Sequence, residues 1–108
     1  MKLNNEISNN GLELSMEFGE NWLKEINSKL LNEYSDLSEK ELNNYNRLCK
    51  TVNKTGNDFI RKNPVKTNGK IEFIDIKKFE KFILEKYSWI NDKNINKLYS
   101  QSCYYAMK

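Results

Sequence analysis

Histidine is missing from all 108 residues. Its absence removes Ser-His-Asp and Cys-His nucleophilic systems, zinc sites that use imidazole, and the Glu-x-x-His motif of di-iron helical bundles. The four glycines, Gly11, Gly19, Gly56 and Gly69, are too far apart to make a glycine-rich phosphate loop. Two cysteines, Cys49 and Cys103, are too few for a disulfide scaffold or a cysteine zinc site. Each falls on an expected apolar helix face, where a thiol behaves as a small buried hydrophobe, so both are expected as free thiols. No apolar run approaches membrane-spanning length, and Met1–Leu14 lacks the apolar core of a secretory signal. These absences predict a reduced, cytoplasmic chain with no metal, no cofactor, no membrane span and no enzymatic activity.

What the chain does have is charge, amides and aromatic rings. Charged residues make up 31% of it, a level at which disorder must be weighed. Thirteen Phe, Tyr and Trp residues at helical spacing argue instead for a core. At this length folding hides roughly 65% of the unfolded chain's surface, enough for one domain without staples. Only residues 1–12, polar and asparagine-rich, are expected to be disordered.

Net charge is +3, unevenly spread. Residues 1–60 hold seven Lys/Arg against ten Asp/Glu, a balance of −3, and residues 61–108 hold eleven against five, a balance of +6. Such a split tints two solvated surfaces differently, or offers a basic second half to an acidic partner.

The clearest local pattern lies in residues 38–62. Leu42, Tyr45, Leu48, Cys49, Val52, Phe59 and Ile60 recur at the spacing of one helix face. Ser38 and Glu41 form a capping box at the start, and Asn63-Pro64 stops the helix, because the proline ring disfavours helical geometry before it. Gly56 falls on the apolar side, where a missing side chain admits another helix backbone at close range; the alternative is that the helix bends or ends at Gly56 and Asn57 and leaves 58–62 as a separate turn. A first helix is expected over 15–34, capped by Ser15, with Phe18, Trp22, Leu23, Ile26, Leu30 and Leu31 as its stripe. A third is expected over 75–87, capped by Asp75, with Ile76, Phe79, Phe82, Ile83 and Tyr87 inward and Lys77, Lys78, Lys81 and Lys86 outside. A fourth is expected over 92–107, capped by Asp92. Between the second and third, Asn68-Gly69 is a type I′ turn signal, and Ile71 and Phe73 alternate with Lys70 and Glu72, which gives a short β-hairpin or loop. The expected architecture is therefore all-α, a single four-helix domain over 1–108.

Three patterns bear on chemistry. Asp92-Lys93-Asn94-Ile95-Asn96 has the opening spacing of a calcium loop, but Lys97 stands where the turn needs glycine and Cys103 where a bidentate Glu belongs. Glu13, Glu17 and Glu20 share one early helical surface, yet nothing sets an acid opposite a base. The helices at 75–87 and 92–107, joined by a corner at 88–91, have the outline of a helix-turn-helix. The second would present Asn96, Lys97, Ser100, Gln101 and Tyr104 to base edges, and Arg61, Lys62, Lys66, Lys70, Lys77, Lys78 and Lys81 would attract phosphate. Against this, the chain has only two arginines, neither in that second helix. The expectation that remains is a non-catalytic module, of inhibitor, immunity or adaptor type, whose partner is another protein. Trp89, Lys97, Gln101, Tyr104 and Tyr105 are its candidate contacts. DNA binding through the helix at 92–107 is the alternative.

Overall fold

The computed structural model describes residues 3–16, 26–67 and 70–106. Among them are five helices, α1 (Asn5–Ser15), α2 (Asn27–Glu33), α3 (Glu39–Lys62), α4 (Ile76–Lys86) and α5 (Asp92–Ala106). The all-α class holds, with one helix more than expected. Between α3 and α4, β1 (Val65–Thr67) and β2 (Lys70–Glu72) pair antiparallel, Lys66 opposite Ile71. The Asn68-Gly69 turn signal lies outside the described residues. Backbone contacts divide the chain into two compact units, Met1–Val52 and Asn53–Lys108, so the boundary falls within α3.

The extra helix corrects two expectations in the first unit. Residues expected to be disordered form α1 from Asn5 onward, and Ser15 closes that helix instead of opening the next. Asn4 is the cap, its Oδ1 accepting from the Ile7 amide at 3.1 Å, and its own amide donates to the Tyr45 hydroxyl at 2.9 Å. Ser15 Oγ donates back to the Leu12 carbonyl at 2.6 Å, a bond made within a helix end. The inward face of α1 is Ser8, Gly11, Leu12 and Ser15. Three of these four are small and polar or bare, so hydropathy periodicity has little to register there. Much of the stripe assigned to a helix over 15–34, Phe18, Trp22 and Leu23, falls outside the described residues.

Below α1 the first unit buries Met16, Ile26, Leu30, Leu42, Tyr45, Cys49 and Val52. Two asparagines of α3 hold the start of α2: Asn46 Oδ1 accepts from the Ile26 amide at 3.1 Å, and Asn43 Oδ1 from Asn27 Nδ2 at 2.8 Å. The capping box of α3 is formed as its residues indicate. The Ser38 amide donates to Glu41 Oε1 at 3.0 Å, and the Glu41 amide to Ser38 Oγ at 3.2 Å.

The second unit buries Ile60, Phe79, Ile83, Ile90, Ile95, Leu98 and Tyr105. Asp75 caps α4, accepting from the Lys77 amide at 2.9 Å. For α5 the cap is Asn91, not Asp92. Asn91 Oδ1 accepts from the Asn94 amide at 2.9 Å, which leaves Asp92 as the acid of the first turn, where the helix dipole favours it. The calcium-like spacing of 92–96 is thereby accounted for as helix. Asn96 Nδ2 donates to the Asp92 carbonyl, one turn back, and Asn94 is buried.

Candidate partner-binding surface

Helix α5 has two faces of different chemistry. Inward lie Asn94, Ile95, Leu98, Gln101, Ser102 and Tyr105. Outward, Lys93, Asn96, Ser100 and Tyr104 are exposed and Lys97 is half-buried. Lys97 and Tyr104 are seven residues apart, two turns on the same face.

The five residues proposed from sequence therefore separate. Tyr104 is 51% exposed, its ring in edge contact with Tyr105 at 5.5 Å. Lys97 shares that outward face. Gln101 and Tyr105 are corrected: both are buried, which withdraws them from any contact surface of the folded chain. Periodicity explains the error, since 98, 101, 102 and 105 form one continuous stripe, whereas polarity alone puts Gln101 on the wet side. Trp89 is half-buried in the corner between α4 and α5, its ring packed edge-on to Tyr87 at 6.4 Å.

Gln101 has a structural partner. Its Nε2 donates to Asn53 Oδ1 of α3 at 3.0 Å, and Asn57 of α3 and Asn94 and Ser102 of α5 are buried as well. Among the described residues, the buried Asn57 Oδ1 and Ser102 Oγ have no hydrogen-bond partner. Gly56 lies in the seam between α3 and α5. A methyl group placed on it would lie 3.0 Å from Ser102 Oγ and 3.1 Å from Leu98 Cγ. Gly56 is legible as a contact in the sequence, whereas these amides are not. Their signal is position: Asn53 and Asn57 flank Gly56 at i−3 and i+1, inside the apolar arc of α3.

Ionisable groups in the described core are few. Burial pushes the Cys49 thiol up to about 12. Cys103, half-buried, is also raised by burial, an effect its hydrogen bond with Tyr99 partly opposes. Tyr99 is raised by burial first and then by Cys103 and Asp75, and its hydroxyl donates to the Ile74 carbonyl at 2.7 Å. The cysteines are not joined in a disulfide. Of the early acidic trio, Glu13 is half-buried in α1, while Glu17 and Glu20 lie outside the described residues. Among the described residues no three His, Cys, Asp or Glu side chains gather where a metal ion could sit, and no helix is long and apolar enough to cross a membrane. An open groove of about 380 Å³ beside α3, lined by Leu3, Asn44, Arg47, Leu48 and Thr51, sets no acid opposite a base.

The unit boundary leaves the charge split unchanged. Residues 1–52 carry six Lys/Arg and nine Asp/Glu, and residues 53–108 carry twelve and six, so the balances are −3 and +6 unit by unit. No family model, no curated protein and no solved structure matches the chain.

Proposed function

We propose that the protein is a non-catalytic protein-binding module, of inhibitor, immunity or adaptor type, that works in the cytoplasm and engages its partner through the outward face of α5. The observation that carries this reading is Tyr104. A tyrosine half exposed at the end of a polar, basic row is the residue type that anchors interfaces, because its ring buries a large area at low entropic cost while its hydroxyl keeps a polar bond. Lys93 and Lys97 on the same face favour an acidic partner, as does the +6 balance of the second unit.

Affinity capture from the native source, with and without nuclease, tests it. One stoichiometric protein, retained after nuclease and lost with Tyr104→Ala, is expected. Nucleic acid recovered without a protein overturns the proposal in favour of the second reading, in which α4, the corner at 88–91 and α5 act as a helix-turn-helix. Asn96, Lys97 and Ser100 on the outward face favour that alternative. DNA affinity would then fall steeply between ~50 and ~200 mM salt, and Lys97→Ala would reduce the salt slope by about one unit. The burial of Gln101 removes one of the side chains such a reader would use.

A further inference from the structure

A second surface in the Asn53–Lys108 unit is not legible as a site in the sequence. Phe59, near the end of α3, and Phe82 of α4 stack with ring centroids 4.0 Å apart and planes 8° apart. Both are half-buried, so part of the pair meets solvent. Lys86 Nζ stands 5.4 Å over the Phe82 ring. Lys78 precedes Phe82 by four residues and Lys62 follows Phe59 by three, one helical turn in each case, which sets both on the same faces as the rings. With Lys81 and Lys86 they form an exposed cationic rim. Among the described residues no carboxylate pairs with any of these four ammonium groups.

The rim is mixed with respect to the helix dipoles, since Lys62 and Lys86 stand in the last turns of α3 and α4, where a cation is favoured. The first turn of α4 holds Lys77 and Lys78 and no acid, although a helix N-terminus disfavours cations. Lys77 and Lys81 are four residues apart and Lys78 and Lys81 three, so like charges neighbour one another along the helix. In sequence, Asp58 adjoins Phe59 and Glu80 and Glu85 lie within α4, while Asp75 is engaged as the cap of α4. A positive row bordering apolar rings that are only half covered is complementary to a ligand that is acidic and apolar together.

We propose that the Phe59–Phe82 pair and its lysine rim form a docking platform for an acidic protein segment bearing one bulky apolar side chain. The side chain covers the exposed part of the ring pair, and the flanking carboxylates meet Lys62, Lys78, Lys81 and Lys86. Nucleic acid fits less well. A base binds by stacking on an aromatic face, and Phe82 already has Phe59 stacked on it and an ammonium over it. An anionic membrane fits less well too, because the large apolar residues of α4, Phe79 and Ile83, are buried in the core. The platform rests on the protein-binding reading for its class of partner, but it uses no residue of the Tyr104 face.

The test is an NMR titration of the intact protein with four probes: a short glutamate peptide with one central tryptophan, its alanine counterpart, oligo-dT, and vesicles of phosphatidylserine and phosphatidylcholine. The tryptophan peptide is expected to move the amides of 59–62 and 77–86 and to bind at least about tenfold tighter than the alanine peptide, since an aromatic anchor carries much of such binding energy. Reversing two rim charges, Lys78→Glu with Lys81→Glu, is expected to weaken it by about tenfold more, whereas Tyr104→Ala leaves it unchanged. Both lysines are exposed, so a native circular dichroism melt confirms that the double variant folds. Equal binding of the two peptides, tighter binding of oligo-dT or vesicles, or indifference to the charge reversal overturns the platform. Such a failure leaves the α5 face standing, because native-partner capture and its loss with Tyr104→Ala are measured separately.

Discussion

Each unit contains a buried helix glycine, and the two are not equivalent. A methyl group on Gly11 of α1 would meet Ile26 Cδ1 at 3.2 Å and Cys49 Sγ at 3.3 Å. Both are ends of side chains, and a shift of a few tenths of an ångström relieves the contact. On Gly56 of α3 the same methyl would meet Ser102 Oγ at 3.0 Å and Leu98 at its branching carbon. Leu98 is wholly buried, so relief there requires α5 to recede. A close approach between side-chain tips tolerates added volume, whereas one that reaches the base of a packed side chain does not. The seams differ in chemistry as well. Around Gly11 lie a thiol and aliphatic carbons, and around Gly56 lie the amides of Asn53, Asn57 and Gln101.

The largest expected effect tests the Gly56 seam directly. Gly56→Leu should lose more than about 3 kcal/mol of unfolding free energy in urea, the upper end for overpacking, because two helix backbones must separate. A variant that melts with the parent would show that the α3–α5 approach is not close, and the contrast would disappear.

Next comes the amide pair. Asn53→Ala strands the buried Gln101 donor and should cost about 2 kcal/mol, while replacing both residues by leucine should restore much of it. Additive losses in the cycle of Asn53→Leu, Gln101→Leu and the double variant would mean that the 3.0 Å bond contributes nothing of its own.

The thiol of the other seam should be visible in the pH dependence. Cys49 ionises at about 12 in the fold and at 9.0 ordinarily. Above 9 the unfolded chain releases a proton that the folded chain keeps, so stability should fall as pH rises, by up to about 1.4 kcal/mol per unit. Cys49→Ala should remove that component. Parallel stability curves for parent and variant between pH 9 and 10.5 would refute the burial.

The smallest effect belongs to Gly11→Ala. A gain of up to about 1 kcal/mol in helix propensity should offset the contact with Ile26 and Cys49, leaving stability within about 1 kcal/mol of the parent. A loss as large as that of Gly56→Leu would erase the difference between the seams.

Much of the helical frame is legible in residue types and their spacing. Helix α3 is legible because its apolar stripe, capping box and terminal Asn-Pro all point to one element, and α4 because Asp75 precedes a strong periodicity. Helix α1 is not, because Ser8, Gly11 and Ser15 pack through smallness and not through hydropathy. The cap of α5 is misplaced by one residue, since Asn91 and Asp92 are equally good caps by type. Of the candidate contacts, spacing puts Tyr104 and Lys97 on the outward side, where they lie, while Gln101 and Tyr105 turn inward. The aromatic platform is invisible as a site in the sequence, because Phe59 and Phe82 each read as ordinary stripe residues of separate helices.

Where most helices run, the absence of histidine chemistry and a charge gradient along the chain are all written in the residues. These are properties of residue type and local spacing, which need no partner in space. Packing in three dimensions sets which polar residues are buried, turns Gly56 toward Leu98 and Ser102, and stacks two phenylalanines 23 positions apart within a lysine rim. Those depend on how helices distant in sequence meet, and a helix carries the same periodicity whichever neighbour it packs against.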